Sequence, residues 1–175
     1  MCGRYSLIST EMDIEEVFDV SLDHIEVPFR YNITPGQEIL AVINESQRRA
    51  RMLKWGFISA DNKIANGGNK PINARGETVA DKWPFKRAFR ERRCLIPSDG
   101  FYEWCNVNQV KIPYRLRLRS GEIFAFAGVW DSWVSPKRSI VETCCIITTV
   151  ANHIMEPIHS RMPVILTKDA AKIWL

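Results

Sequence analysis

Hydrophobic and polar positions along the chain alternate in short runs. Cys2 to Ile8 reads as a first strand, and Thr10 to Phe18 as a short helix with Ile14, Val17 and Phe18 on one side. Asp19 to Gly36 is long and irregular, with Pro28, Asn32 and Pro35 inside it. Gln37 to Asn44 and Arg51 to Phe57 read as a strand pair joined by a polar turn. Ser59 to Pro71 reads as a loop with Gly67-Gly68 at its tip. Pro84 to Arg93 then fits a helix whose apolar side is Phe85, Ala88 and Phe89 and whose other side is basic. From there strands dominate: Cys94 to Ile96, Gly100 to Trp104, Tyr114 to Arg119, Ile123 to Trp130, Val141 to Thr149 and Pro163 to Leu166. Asn106 to Gln109 and Ser120-Gly121 mark turns. Thr167 caps a last helix that runs into Ile173-Trp174-Leu175, an apolar end that either packs down or marks a shortened chain.

Strands outnumber helices, no βαβ rhythm occurs and no glycine-rich phosphate loop is present. The expectation is an α+β fold, mainly antiparallel sheet curled towards a barrel, with a few short helices. A length of 175 residues suits a single domain, 1–175, able to bury a core without disulfide staples. No apolar run approaches the ~18 residues of a membrane span. The formal charge of +4 permits a nucleic-acid partner without requiring one. The start of the chain predicts no secretion signal, and five cysteines, an odd number, predict reduced thiols in a cytoplasm. Cysteine and histidine spacings match no zinc site, so neither metal nor cofactor is expected.

Cys2 carries the most chemistry. Removal of Met1 would place a free α-amine beside its thiol, and an amine and a thiol on adjacent carbons capture aldehydes. An N-terminal nucleophile also cleaves amides with its own amine as base. The alternative is a small apolar residue opening a strand. Glu103 shares a strand face with Phe101, opposite Tyr102 and Trp104. That position offers a partly desolvated carboxyl for general acid–base work, or simply an exposed strand glutamate. His159, held between Pro157 and Pro163, is a proton shuttle or an ordinary loop histidine. Asn73 is a hydrogen-bonding residue for a reacting group. Arg4, Arg75 and Arg161 are phosphate binders or solvated surface charges. Tyr114 to Arg119 alternates leucine or tyrosine with three arginines, which reads best as a solvated strand face.

Several segments together resemble the SRAP (SOS response-associated peptidase) family. They include Met1-Cys2-Gly3-Arg4-Tyr5, Tyr31-Asn32-Ile33-Thr34-Pro35-Gly36, Lys54-Trp55-Gly56-Phe57 and Asn73-Ala74-Arg75-Gly76-Glu77-Thr78. Arg93 to Pro97, Asp99 to Trp104, Phe126 to Trp130, Ile147-Thr148-Thr149 and His159 to Pro163 complete the set in order. The resemblance implies a barrel-like fold with the N-terminal cysteine at the base of a cleft. It also implies a monomer that binds single-stranded DNA and captures abasic sites as a thiazolidine crosslink, in the cytoplasm at the nucleoid. By the same resemblance Cys2 is the nucleophile, Asn73 positions the amine or sugar, Glu103 moves protons, and His159 assists ring opening and reversal. Arg4, Arg75 and Arg161 grip phosphates. Trp55 and Trp104 border the cleft, and Asn32, Thr148 and Thr149 complete the DNA contacts. The family's peptidase label implies autocatalytic removal of Met1. The alternatives are a thiol peptidase acting on other proteins and a non-covalent single-strand binding module. Relatives usually run further at the C-terminus.

Overall fold

The computed structural model describes residues 2–64 and 68–175. The expected removal of Met1 and the Gly67 part of the loop tip lie outside the described residues. Among the described residues, three short helices accompany twelve strands.

Five strands close into a barrel: β3 (Glu38–Asn44), β4 (Arg48–Trp55), β6 (Arg93–Ser98), β9 (Phe124–Val134) and β10 (Ile140–Val150). The circuit runs β10-β4-β3-β6-β9 and returns to β10. Only the β10–β4 pairing in it is parallel. Closure removes sheet edges, and the barrel strands accordingly carry long apolar runs that are buried. A second sheet of four strands is ordered β2 (Arg30–Ile33), β1 (Tyr5–Leu7), β7 (Gly100–Val107), β8 (Val110–Leu116). It packs on the barrel through Tyr5, whose ring meets Trp55 and Phe126 edge-on at 5.5 and 5.7 Å.

A buried polar knot locks the two sheets together. Asp99 sits between β6 and β7; its carboxylate accepts from Ser6 Oγ at 2.6 Å, from Arg115 at 2.9 Å and from the Ile8 N–H. On the other side of the barrel, buried Asp131 accepts from Arg87 at 2.8 Å, Arg92 at 3.0 Å and the Ala60 N–H at 2.8 Å. This holds α2 (Lys86–Glu91) and the 59–62 turn against β9.

Local chemistry explains the helix starts. Thr10 and Asp13 form a reciprocal capping box on α1 (Glu11–Phe18), and Thr167 Oγ1 accepts from Ala170 N–H at the start of α3 (Lys168–Trp174). The apolar C-terminal end packs down. Trp174 stacks edge-on against Phe89 and donates from its indole to Cys94 O at 3.0 Å, while Ile173 faces solvent.

Several boundaries differ from the sequence expectation. Cys2 precedes β1 rather than lying in it. The irregular 19–36 stretch contains strand β2, which joins the sheet edge. The β7–β8 hairpin turns on two residues, Asn108 and Gln109, both with positive φ, so its strands reach Val107 and restart at Val110. Only Arg115 of the three alternating arginines then lies in a strand, and it is committed to Asp99.

Candidate functional site

Cys2 lies buried just ahead of β1. Its carbonyl accepts a hydrogen bond from Asn73 Nδ2 at 3.0 Å. Asn73 reaches it because β5 (Asn73–Arg75) is laid in parallel along β10, with Asn73 opposite Ile146 and Arg75 opposite Thr148. Asn73 Oδ1 is also buried and accepts no hydrogen bond, an open acceptor beside the cysteine backbone.

Glu103 follows the strand period. Tyr5 pairs with Phe101, so Phe101 and Glu103 point inward from β7, and Glu103 is only 3% exposed. Tyr102 and Trp104 point out, and the Tyr102 N–H donates to Arg4 O at 2.9 Å, which ties the first residues to β7. Burial raises the Cys2 thiol well above its ordinary pKa; the Glu103 carboxylate pushes it further the same way, against smaller opposing effects of the N-terminal charge and the Arg4 N–H. Burial therefore favours the neutral form of the Cys2 thiol.

A second cluster borders β5. Arg161 makes a bidentate pair with Glu77 at 2.7 and 3.0 Å and donates to Thr148 O and Oγ1 at 2.8 and 3.1 Å. The Arg161 hydrogen bonds lower the Glu77 pKa to about 2. His159 sits in the turn that leads to this arginine. The Arg161 N–H donates to its Nδ1 at 2.9 Å, and Arg161 O lies 3.2 Å from the same nitrogen. The turn is fixed by Asn152, whose side chain accepts from Ile154 and Met155 N–H, and by Met155 O, which accepts from Ile158 and His159 N–H.

A third cluster is the outer rim. Arg4 donates to Asn32 Oδ1 at 3.2 Å and lies 5.9 Å from the centroid of the Trp104 ring, which is 37% exposed. Tyr102 Oη donates to Tyr31 O at 2.9 Å beside it. Arg75 is exposed at the end of β5, opposite Thr148.

Three expected contacts need correction. Trp55 is 0% exposed, donates to Ile72 O at 2.9 Å and packs on Tyr5; it is core and offers no face to a base. Thr148 is fully buried and serves as an anchor for Arg161, while its neighbour Thr149 is half-buried. Arg161 is already charge-compensated, leaving Arg4 and Arg75 as the open cations. The carboxylate that compensates it, Glu77, escaped the sequence reading because its partner lies far away along the chain and no spacing signals it. Among the described residues, no three His, Cys, Asp or Glu side chains gather as metal ligands. A cleft of about 540 Å³ between α1, residues 118–125 and α3 is lined by Asp13 and Glu122 but by none of the site residues named above.

The model of the family described as SOS response associated peptidase (SRAP) matches residues 1–175. The chain belongs to the SRAP family. It is 45% identical over 179 residues to the abasic site processing protein YoqW of Bacillus subtilis, a match covering all of this chain and 80% of that protein. To YedK of Escherichia coli it is 26% identical over 185 residues, covering all of this chain and 79% of YedK. To HMCES of Xenopus tropicalis it is 28% identical over 155 residues, covering 75% and 46% of the two chains. Both are also named abasic site processing proteins. A crystal structure of a Bacteroides thetaiotaomicron protein superposes with a TM-score of 0.91 at 24% identity, covering 99% of this chain and 81% of that one, so the fold is shared. No helix of this SRAP chain, among the described residues, is long and apolar enough to cross a membrane.

Proposed function

We propose that this SRAP protein captures abasic sites in single-stranded DNA through Cys2. One observation carries the reading: the Cys2 backbone is held by Asn73 with an unused amide oxygen beside it, and a buried carboxylate, Glu103, adjoins the thiol. The relatives named above are abasic site processing proteins, which supports an abasic site as the target.

With Met1 removed, the Cys2 α-amine attacks C1′ of the ring-opened sugar, and loss of water gives a Schiff base. The thiol then adds across the C=N bond: sulfur bonds to C1′, and its proton ends on nitrogen by way of Glu103. The sum is aldehyde plus aminothiol giving thiazolidine plus one water, with no oxidant or reductant. Asn73 Oδ1 accepts from the amine and orients its lone pair. His159 donates a proton to the sugar ring oxygen as the ring opens and runs the step backwards on release. Arg4 and Arg75 take the flanking phosphates, Trp104 offers a stacking face beside Arg4, and Asn32 fixes the Arg4 guanidinium. Arg161 acts by holding the His159 turn in place. An unpaired strand admits the lesion without the cost of breaking base pairs.

The test is a denaturing gel. Protein mixed with an oligonucleotide carrying one abasic site should give a boiling-resistant shifted band, absent with Cys2→Ala or intact DNA. Mass spectrometry of the same sample should find the chain beginning at Cys2. A free N-terminal cysteine with no band would overturn the proposal and put peptide cleavage and plain strand binding first.

A further inference from the structure

The strongest feature outside the site is a basic stripe with an unpartnered tryptophan on the segment that leaves β5. From Arg75 the chain winds through successive turns: Val79 N–H donates to Arg75 O at 2.9 Å, Lys82 N–H to Thr78 O at 3.0 Å, and Lys86 N–H to Lys82 O at 3.0 Å. The inner side of this run is fixed by packing. Val79 and Ala88 are buried in the cluster around Phe57, and Phe85 meets Phe57 at 5.3 Å. The outer side carries Lys82, Trp83, Lys86 and Arg90, all exposed.

Charge divides this segment in two. Arg87 pairs with Asp131 and Asp61, Arg92 pairs with Asp131, and Arg93 is spent on the carbonyls of Phe89, Arg90 and Trp174. Lys82, Lys86 and Arg90 pair with no carboxylate among the described residues, and the segment's own acids, Asp81 and Glu91, pair with none of them. Lys86 and Arg90 stand one helical turn apart, about 6 Å, a spacing that neighbouring phosphates of an extended strand can follow. Trp83 is 69% exposed, the most exposed of the six tryptophans, and makes no ring contact or hydrogen bond among the described residues. The other tryptophans are core, packed ends or, for Trp104, part of the rim. A bare indole amid uncompensated cations is the chemistry of a single-strand stacking platform.

We infer that Trp83, Lys82, Lys86 and Arg90 form a second strand-contact surface that takes the DNA flank on the Arg75 side of the site. Trp83 stacks on a base of that flank and the three cations follow its phosphates. The surface rests on the proposed function for its placement next to a lesion, but its strand binding can be measured without capture.

The experiment uses the full chain carrying Cys2→Ala and undamaged single strands of 4 and 15 nucleotides, read by fluorescence anisotropy. Adding Trp83→Ala should weaken the 15-mer about tenfold and leave the 4-mer, which the rim alone can hold, unchanged. Trp83→Phe, which keeps an aromatic face, should restore most of the loss. The triple change Lys82→Ala, Lys86→Ala, Arg90→Ala should lower the slope of log affinity against log salt by about 2, from about 0.7 per lost phosphate contact. An unchanged 15-mer affinity in Trp83→Ala, or an equal loss on both lengths, would overturn the inference. If wild type fails to trap abasic DNA while Trp83→Ala still loses the 15-mer, the capture reading falls and this surface stands.

Discussion

Cys2 and the barrel cysteines Cys94, Cys144 and Cys145 share one property and differ in everything that matters for chemistry. All four are buried, and burial pushes all four thiols up in pKa. Cys94 lies in β6, and Cys144 and Cys145 lie in β10; Cys94 and Cys144 have strand partners on both sides, the Trp174 indole donates to Cys94 O, and no carboxylate acts on any of the three thiols. Packing there is tight: a Cβ placed on Gly128 would come within 2.8 Å of Cys94 Sγ. Cys2 instead sits ahead of its strand, with an amide on its carbonyl and a carboxylate near its sulfur. Burial makes a thiol inert; the proposed capture sets Cys2 apart by the carboxylate near it and, with Met1 removed, by the amine on the same residue.

The sharpest way to break this contrast is to swap the two sites' fates. Cys2→Ala should abolish the heat-stable crosslink, a loss of at least about 100-fold, and keep single-strand affinity. Cys94→Ala should leave trapping intact and cost about 1–2 kcal/mol of stability, read by thermal melting. A reversal of either result would show that position in the barrel, not neighbouring chemistry, sets reactivity.

Glu103→Gln sharpens it further. Capture should slow by about 10²-fold, because the base is lost. Alkylation of Cys2 by iodoacetamide should move the opposite way and speed up at fixed pH, because one cause of the raised thiol pKa has gone. Slower alkylation would mean that Glu103 activates the resting sulfur instead of opposing its charge.

Asn73→Asp is a milder probe. It keeps the shape of the amide, removes the donor to Cys2 O and adds a negative charge, so capture should fall about tenfold. Its pH profile should shift upward as the α-amine gains a carboxylate neighbour. An unshifted profile would place the amine elsewhere.

The smallest effect comes from the Arg161–Glu77 pair, which supports the His159 turn from the surface. The folded-state pKa of Glu77, about 2, lies below the ordinary glutamate value. Its contribution is therefore complete above that ordinary value and is lost as pH falls towards 2. Melting temperatures of wild type and Glu77→Gln should differ slightly at pH 6 and converge on acidification. Because Glu77 is exposed, solvent screening keeps the difference small. A gap that widened as pH fell would reverse the assigned charge relation.

Much of this fold was legible because its signals are local. The capping box of α1 and the Thr167 cap of α3 are contained within four residues each, and the inward side of β7 follows from strand period alone. So the starts of α1 and α3, most barrel strands and the face shared by Phe101 and Glu103 agree with the reading of the chain, while α2 is shorter, Lys86–Glu91, than the expected Pro84 to Arg93. The hairpin boundaries shifted because Asn108 and Gln109 alone make the turn, so Asn106 and Val107 belong to β7 and Val110 already opens β8. Strand β2 escaped because an edge strand is held by one partner, not by its own pattern.

The sequence by itself determined the residue types of the site, the family, and the strand-rich, barrel-like architecture with short capped helices. Tertiary structure alone decided which of those residues meet. It set Asn73 on Cys2 by laying β5 along β10, gave Arg161 to Glu77 and Thr148, and took Trp55 into the core beneath Tyr5. It also left Trp83 bare while burying or packing most of its counterparts. The reason is physical. Helix caps and strand faces are fixed by neighbours a few residues away, whereas charge compensation, burial of an indole and the approach of an amide to a distant carbonyl depend on which strands pair. A barrel closes those pairings only when the whole chain is in place.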